Sequence, residues 1–331
     1  MKTMKILIVG LGSMGKRRLR LIQKNYPEFS ISGVEFSEER REEVSKNSGI
    51  KCYYSIPDAV KVSEYDAAFV CTPPATHHEV TKELLENKIN VFTELNLINN
   101  GYDDLLDIAG KKNVKIFMSS TLLYRKEIQK ITELVSSQEQ PLQYIYHVGQ
   151  YLPDWHPWES YKNFFVGKNE TNGCREILAI QLPWILKCFG ESLSIGYTSR
   201  KKISDLDLDY PDSCIVALEH ESGNRGVVII DVVARKATTS LEIVGENLHL
   251  FWDGTPNGLR IYDIDAKSLE SLQLYDSFEH NQNYAPNIIE DGYLAEIKCF
   301  FDMLSGKSAP LYTLTDDKKT LELIDIIEER V

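Results

Sequence analysis

The segment from Lys5 to Gly15, KILIVGLGSMG, constrains the fold of this chain more than any other feature of the sequence. An apolar run, Ile6–Val9, passes directly into three glycines spaced Gly-x-Gly-x-x-Gly, and a basic helical stretch follows from Lys16. In such a unit the first glycine permits the tight turn, the second lets a pyrophosphate approach the backbone, and the third lets the helix pack on the sheet. The segment therefore predicts a dinucleotide-binding unit whose phosphate-binding residues are Gly10, Gly12, Ser13, Met14 and Gly15.

An acidic residue follows at a spacing that supports this interpretation. The second predicted strand, Ile31–Glu35, ends in a carboxylate 20 residues after Gly15. At that spacing an acidic residue binds the ribose hydroxyls of the adenosine, and its charge repels the 2′-phosphate of NADP. Glu35 therefore predicts a nucleotide site rather than a purely structural glycine turn, and NAD rather than NADP. Arg40 and Arg41 lie nearby, and their helical positions predict a solvated face.

The length of the chain, 331 residues, predicts two domains. Short apolar runs alternate with helical patterns up to about residue 120, which indicates a doubly wound parallel sheet, and a strand-dense region between helices follows. We predict a Rossmann domain over residues 1–120 and an α+β domain over residues 121–331 with a large, mostly antiparallel open sheet. Because such a sheet needs cover on both faces, we expect a homodimer or homotetramer through it.

Charge and composition exclude several classes of partner. The formal net charge is −12, which argues against nucleic acid and anionic membranes. No apolar run approaches membrane-spanning length, and the run before the first glycine is too short for a signal-peptide core. The six cysteines lack the CxxC spacing of zinc or redox sites, so we expect reduced thiols, no metal site and a cytoplasmic protein.

Two segments after later strands, together with the glycine loop, carry a family resemblance. Val70–His77 reads VCTPPATH and Asn90–Glu94 reads NVFTE. Further agreement comes from Tyr151–Trp155 (YLPDW), Leu241–Glu246 (LEIVGE) and Tyr293–Ile297 (YLAEI). Over its whole length the chain resembles the Gfo/Idh/MocA oxidoreductases.

This resemblance implies a nicotinamide cofactor at an interdomain cleft, a sugar, inositol or nucleotide-sugar substrate, and a carboxy-terminal sheet that mediates dimers or tetramers. It also implies that the turn at Thr72 and Pro73 lines the cofactor and that Glu94 begins the loop beside the nicotinamide. His77 either contacts the ribose of the cofactor or simply begins a helix. The cofactor-binding residues predicted from the resemblance are Cys71, Thr72, Pro73, His77 and Glu94.

The sequence departs from the family at the positions that carry its acid–base chemistry. Most relatives have Glu-Lys-Pro where this chain has Glu94-Leu95-Asn96, and leucine cannot transfer a proton. The Lys-Pro bond of the family is often cis, whereas a non-proline cis bond costs about 2.5–4 kcal/mol, so we expect a trans loop. On the helix after Gly173, Ile177 and Ile180 occupy the positions of an Asp and a His in relatives, and Pro183 predicts a kink or a break.

Another group must therefore take the proton of a substrate hydroxyl. The predicted acid–base residues are Glu94, Glu176, His156 and Tyr124, the last in a Leu-Tyr pair that replaces the basic residue usual in the family. Glu176 either has a pKa raised by a dry cleft, pairs with Arg175, or is a helix-start carboxylate stabilised by the dipole. His156 lies in the aromatic segment 155–162, which either stacks on a sugar ring or packs as a core flap.

Three functions are compatible with these residues. The first is an NAD-dependent dehydrogenase of a sugar or nucleotide sugar with non-standard acid–base groups. The alternative is a catalytically inactive nucleotide-binding sensor or regulator, which the loss at Leu95, Ile177 and Ile180 motivates. The third is an enzyme that oxidises its sugar transiently so that elimination or hydrolysis can follow. The intact glycine loop and Glu35 favour the first.

Overall fold

A computed structural model of the chain describes residues 3–155, 159–280 and 288–329. The chain forms two compact units. The first comprises Met1–Ser120 together with Tyr293–Lys319, and the second comprises Thr121–Gly292 together with Thr320–Val331.

The first unit contains a parallel sheet of six strands in the order β3-β2-β1-β4-β5-β6. The central strands β1 and β4 are almost completely buried, because helices on both faces of a parallel sheet demand continuous apolar runs. The predicted alternation of strands and helices and the doubly wound fold are confirmed. The strands are β1 (Lys5–Val9), β2 (Ser30–Val34), β3 (Lys51–Tyr53), β4 (Ala67–Val70), β5 (Asn90–Thr93) and β6 (Ile116–Met118).

The second unit contains an eight-stranded sheet in the order β14-β13-β12-β11-β7-β10-β9-β8. Within the described residues each neighbouring pair is antiparallel except β7 and β10, which confirms the predicted mostly antiparallel sheet. The strands are β7 (Gln143–Gly149), β8 (Leu193–Lys201), β9 (Ser213–His220), β10 (Arg225–Asp231), β11 (Thr238–Val244), β12 (His249–Trp252), β13 (Arg260–Asp263) and β14 (Ser268–Ser271).

The helices begin and end where the sequence supplies caps. Ser37 caps the second helix by accepting a hydrogen bond from the Arg40 N–H, and Gly49 ends it in the left-handed conformation. The helices are α1 (Ser13–Asn25), α2 (Glu38–Ser48), α3 (Ile56–Val60), α4 (His77–Glu86), α5 (Tyr102–Lys112), α6 (Lys126–Ser136), α7 (Gly173–Phe189), α8 (Glu290–Leu304) and α9 (Leu314–Ile327). Short 3-10 turns lie at Pro74–Thr76, Thr121–Tyr124, Leu152–Asp154, Tyr161–Asn163, Phe165–Gly167 and Asn169–Thr171.

An aromatic cluster explains why Tyr293–Lys319 belongs to the first unit. Phe69, Phe92 and Phe117, on β4, β5 and β6, stack on one another with ring centroids 4.7 and 5.0 Å apart. Phe300 of α8 meets all three rings edge-on at 5.3–5.7 Å. These are favourable aromatic geometries, and the rings are fully buried. This face of the parallel sheet is thus covered by a helix from the far end of the sequence.

In the second unit, α7 packs on one face of the antiparallel sheet. Tyr146 of β7 donates a hydrogen bond to Gln181 and meets Trp184 edge-on. Residues alternate along the strands, so the other face carries Ile145 and Ile215, which are 55% and 38% exposed.

Of the two outcomes predicted for Pro183, a kink or a break, the structure excludes the break, because α7 runs from Gly173 to Phe189 with Pro183 inside it. A proline inside a helix costs about 3 kcal/mol through its missing N–H and its ring. Leu182, Trp184 and Ile185 beside it are fully buried. We attribute the continuity of the helix to this packing, which offsets the cost of the proline.

Candidate nucleotide-binding and acid–base sites

The three glycines of the first loop meet three different surroundings. Gly10 has φ +89°, and a Cβ there would lie 2.7 Å from the Cys71 carbonyl oxygen. A Cβ on Gly15 would lie 1.9 Å from the Gly10 carbonyl oxygen, so neither position accepts a side chain. A Cβ on Gly12, by contrast, would have open space within 4 Å. This backbone is accessible directly before α1, whose first residues are Ser13 and Met14.

The position of this loop in the sheet suits a ligand. Gly10 follows β1 and Cys71 follows β4, and the order of strands reverses between these two strands. In open parallel sheets ligands bind beyond the carboxyl ends of the strands at such a point, and helix N–H groups there attract phosphate.

Glu35 is buried and joins the second strand to the glycine loop. Its Oε2 accepts hydrogen bonds from the Leu11 N–H at 3.0 Å and from Arg40 Nη1 at 3.1 Å, and its Oε1 accepts one from the Ser37 N–H. Arg41 donates to the Glu35 carbonyl at 2.7 Å. Both arginines thus contact Glu35, although the side chain of Arg40 stays 42% exposed, so the predicted solvated face describes only part of their surroundings. Helical side chains point toward the amino-terminal end of their helix, and Glu35 lies just before α2.

Sequence reasoning missed two exposed aromatic residues beside Glu35. Phe36 is 76% exposed, and Tyr54, which follows β3, is 63% exposed. The Arg41 guanidinium lies 5.4 Å from the centroid of the Tyr54 ring. Large exposed rings can stack on a planar base, and these two lie next to the carboxylate that the sequence spacing assigns to the ribose. The signal available in the sequence was an aromatic residue directly after Glu35.

Glu94 lies in a buried ionic cluster. Arg18 of α1 donates from Nε to Oε1 at 2.6 Å and from Nη2 to Oε2 at 3.1 Å, and it also pairs with Glu296 of α8 at 2.6 Å. Burial alone would lower the pKa of Arg18, but the two carboxylates raise it above its ordinary value. Cys71 lies 3.9 Å from Glu94, and burial raises the pKa of its thiol. Glu94 is thus an anchored carboxylate, and sequence reasoning missed both Arg18 and Glu296.

His77 begins α4 and contacts the loop after β4. Its Nε2 lies 2.7 Å from the Thr72 carbonyl oxygen, and its Nδ1 lies 2.5 Å from Oδ1 of Asn96. Burial lowers the pKa of His77, and these two acceptors raise it in part. Thr76 donates a hydrogen bond to the Thr72 hydroxyl and lies in the 3-10 turn that follows Pro73. His77 therefore contacts both the turn that the resemblance assigns to the cofactor and Asn96 on the loop after β5.

In the second unit, Glu176 lies in the first turn of α7. Its neighbour Arg175 forms ion pairs with Glu328 at 2.6 Å and Asp325 at 2.8 Å. The residue is partly exposed, but its Oε2 atom is buried and has no hydrogen-bond partner among the described residues. Burial raises the pKa of Glu176 to about 8. A carboxyl in this state can exchange a proton near neutral pH.

The other predicted acid–base residues have different surroundings. Tyr124 is buried at the end of the 3-10 turn after β6. His156 lies outside the described residues. Trp155 lies against the start of α7, 3.6 Å from the position a Cβ on Gly173 would take, and its Nε1 is buried without a hydrogen-bond partner among the described residues. Glu176 is one helical turn further along α7.

Leu95 and Ile177, which stand at the positions of the expected acid–base residues, are largely removed from solvent. Leu95 is half-buried and Ile177 is buried. The described peptide bonds are all trans, so the expected trans loop at Leu95 and Asn96 is present. Among residues 3–155, 159–280 and 288–329, no group of three or more His, Cys, Asp or Glu side chains is placed to hold a metal ion. In the same ranges no helix combines the length and apolarity needed to cross a membrane.

Several solved structures share the fold of the whole chain. An oxidoreductase from Agrobacterium radiobacter in complex with NAD+, L-tartaric acid and magnesium has a TM-score of 0.84 at 13% identity, with 99% of this chain and 96% of that chain covered. The WlbA dehydrogenase from Bordetella pertussis, in complex with NADH and UDP-GlcNAcA, has 0.78 at 13%, with 99% and 96% covered. The UDP-N-acetylglucosamine 3-dehydrogenase GnnA from Acidithiobacillus ferrooxidans has 0.75 at 15%, with 100% and 98% covered.

Sequence comparison identifies the amino-terminal part directly. Residues 4–120 match the family model GFO_IDH_MocA, described as an oxidoreductase family with an NAD-binding Rossmann fold. No curated protein sequence matches the chain. The predicted resemblance to the Gfo/Idh/MocA oxidoreductases is confirmed over residues 4–120, which match the NAD-binding Rossmann fold of that family.

Proposed function

We propose that this chain is an NAD-dependent dehydrogenase of a sugar or nucleotide sugar. The observation that carries the proposal is the nucleotide site of the first unit. Gly12 leaves its backbone open beside α1, and Glu35 is held by the Leu11 N–H at the adjacent strand end. A turn that served packing alone would need Gly10 and Gly15, whose surroundings exclude a side chain, but not an unobstructed Gly12.

The substrate class is supported by two proteins of the same fold. The WlbA dehydrogenase from Bordetella pertussis was solved with UDP-GlcNAcA, and GnnA is a UDP-N-acetylglucosamine 3-dehydrogenase. The exposed rings of Phe36 and Tyr54 suit the base of a nucleotide cofactor, and the ring of Trp155 suits the face of a sugar.

Glu35 supports NAD as the preferred cofactor, because a buried carboxylate disfavours a 2′-phosphate at the same place. Arg40 acts against this preference, since its guanidinium lies 3.1 Å from that carboxylate and would attract the phosphate. We expect NAD to bind more tightly than NADP, and we expect Arg40 to reduce the difference between the two affinities.

NAD held at Gly12 and Glu35 would supply the hydride acceptor for oxidation of a substrate hydroxyl, so a residue of the protein has to remove the hydroxyl proton. We assign this proton to Glu176, whose buried Oε2 lacks a hydrogen-bond partner among the described residues. Glu94 is assigned to the cofactor loop rather than to proton transfer, because Arg18 holds both of its oxygens. Tyr124 and His156 remain further candidates for the proton.

The open face of the second unit's sheet supports a homodimer or homotetramer. Ile145 and Ile215 lie on this face, and their exposure in a single chain favours contact with a second copy. A cytoplasmic location is part of the same proposal, since all six cysteines are free thiols.

The test of this proposal is a fluorescence titration with NADH and, separately, NADPH, followed by turnover assays on sugars and nucleotide sugars. Saturable NADH binding, weaker NADPH binding and net NADH production from one substrate class are expected. Absence of binding by both nucleotides contradicts the proposal.

A second candidate is the catalytically inactive sensor, which the apolar Leu95 and Ile177 favour. It predicts tight NADH binding without turnover of any sugar. The transient-oxidation enzyme predicts instead elimination or hydrolysis with tightly held NAD and no net NADH. The two assays therefore separate all three functions.

A further inference from the structure

A chain of buried hydrogen bonds runs through the first unit, behind the turn that follows β4. From Thr72 it passes to His77, then to Asn96, then to Tyr102 of α5 and finally to Asp317 of α9. The heavy-atom distances along it are 2.7, 2.5, 2.6 and 2.5 Å. The four side chains are 1–3% exposed, so water does not compete for these hydrogen bonds.

The direction of each hydrogen bond follows from the donors available. Tyr102 has a single hydroxyl hydrogen, which it donates to the Asp317 carboxylate. The same hydroxyl therefore accepts from Nδ2 of Asn96, and this turns Oδ1 of Asn96 toward His77. A carbonyl oxygen can only accept, so Nδ1 of His77 carries a hydrogen. Asp317 thus sets the orientation of Asn96 through Tyr102.

The second ring nitrogen of His77 contacts the turn after β4. Nε2 of His77 faces the carbonyl oxygen of Thr72, which also can only accept. Both acceptors are satisfied together only by the protonated ring, which these two hydrogen bonds favour and which burial opposes by lowering the pKa of His77. The ring lies rigidly between two acceptors, one on the loop after β4 and one on the loop after β5.

Asn96 stands where the family motif has proline, a residue that cannot form these side-chain bonds. The next residue, Leu97, is fully buried. The loop after β5 is therefore anchored by an amide and an apolar side chain rather than by the ring of a proline. We propose that Asn96 is a positioning residue for the cofactor site: acting through His77, it holds the Thr72 carbonyl and with it the turn at Thr72 and Pro73.

This inference rests on the proposed function only in assigning that turn to the nicotinamide end of the cofactor. It predicts a distinction between ligands, because NADH reaches that end and ADP-ribose lacks the nicotinamide. Loss of the Asn96 side chain takes the Asn96 acceptor from Nδ1 of His77 and the Asn96 donor from the Tyr102 hydroxyl, while the contacts to Thr72 and Asp317 remain.

The experiment compares Asn96→Ala with Asn100→Ala, an exposed residue of the same loop, as the matched control. We expect Asn96→Ala to weaken NADH binding about tenfold while ADP-ribose binding stays within about twofold of the wild type. Nitrogen NMR of the His77 ring should show hydrogen on Nδ1 in the wild type and its loss in Asn96→Ala. Asn100→Ala should change none of these quantities.

Equal losses for NADH and ADP-ribose would overturn the positioning role, because they indicate a general structural defect. An unchanged Nδ1 signal in Asn96→Ala would overturn it as well. Tyr102→Phe keeps the ring and removes only the hydroxyl, so it should reproduce the Nδ1 change if the variant at Asn96 folds poorly. Failure of the wild type to bind NADH counts against the proposed function instead, and the His77 signal alone then decides whether Asn96 orients the ring.

Discussion

Arg18 and Glu94 meet through two parallel hydrogen bonds, of 2.6 and 3.1 Å, although they are 76 positions apart in the sequence. Arg18 is fully buried and also binds Glu296. One guanidinium thus serves two carboxylates, and Glu296 is further held by the Ser120 N–H at 2.7 Å. The cluster joins α1, the loop after β5 and α8 within the first unit.

Replacing Arg18 should strongly destabilise the first unit. Arg18→Met leaves two buried carboxylates without their cation, and breaking such a pair costs about 3–5 kcal/mol. Urea unfolding followed by fluorescence measures the loss. Lys16→Ala on the same helix is the control, since its pair with Glu43 is exposed and should contribute at most about 1 kcal/mol. Equal effects of the two variants would contradict the assigned role of the cluster.

Glu35→Gln should shift the cofactor preference toward NADPH. The change keeps an oxygen acceptor for the Leu11 N–H and removes the charge that repels a 2′-phosphate, so the NADPH-to-NADH affinity ratio should rise about tenfold. Arg40→Ala should lower the same ratio. Isothermal titration calorimetry with both nucleotides measures this affinity ratio. A ratio that neither variant changes would show that Glu35 does not determine the cofactor preference.

Phe36→Ala should weaken NADH and ADP-ribose by the same factor, because both ligands carry the adenine. Loss of one stacking ring should cost about 1 kcal/mol, or roughly fivefold in affinity. Phe278→Ala, a less exposed phenylalanine of the second unit, serves as the control and should bind both ligands normally. If only NADH binding is weakened, Phe36 does not contact the adenine that the two ligands share.

The pH profile of oxidation should follow Glu176. Because the base form accepts the proton, kcat/KM should rise with pH and level off above a pKa of about 8. Glu176→Gln should lower kcat/KM by about a hundredfold or more and abolish this rise. The exposed Glu191→Gln is the matched control and should keep the wild-type profile. If the pH profile of the Glu176 variant is unchanged, Glu176 is not the proton acceptor, and Tyr124 and His156 are the next candidates.

The same carboxyl makes a separate prediction for stability. Its folded pKa is raised from 4.5 to about 8, so the folded state binds the proton more tightly than the unfolded state does. The contribution is full below pH 4.5 and is lost as pH rises through about 8. Glu176→Gln should therefore flatten the decline of the unfolding free energy over this window. A decline as steep as that of the wild type would contradict the raised pKa.

A charge on the open face of the second sheet should separate copies of the chain. Ile145→Glu places a carboxylate among exposed apolar side chains, so light scattering after size exclusion should show monomers where the wild type is oligomeric. Leu106→Glu, at an exposed position of α5 in the first unit, is the control. A wild-type protein that is already monomeric would contradict the proposed interface.

The sequence predicted the parallel sheet well, because β1 and β4 are continuous apolar runs next to glycine and proline turns. The strands expected beyond residue 120 did not include β7, β8 or β14, and β7 was missed although its first residues alternate between exposed and buried. β14 is exposed at every residue, so it has no hydrophobic period, and β8 is irregular between Ile195 and Tyr197. Local patterns identify strands by the face they bury, and these two strands bury little.

The nucleotide site was predictable only where its residues are neighbours in sequence or follow a fixed spacing. The glycines and Glu35 obey such a spacing. Arg18 and Glu296 are 278 positions apart, and each by itself is typical of a helix surface. Only the fold brings them to Glu94, so no motif could have indicated the cluster.

The edge-on contacts of Phe300 with Phe69, Phe92 and Phe117 have a consequence for how the chain folds as it is synthesised. The nucleotide-binding unit is interrupted in sequence, and the helix that completes its core is translated after residues 121–292 of the second unit. During synthesis the rings of Phe69, Phe92 and Phe117 therefore lack the cover of Phe300 until α8 emerges. A fragment that ends at residue 120 would leave these apolar rings without the helix that buries them. Joining residues 1–120 to residues 293–319 by a short linker would restore that helix.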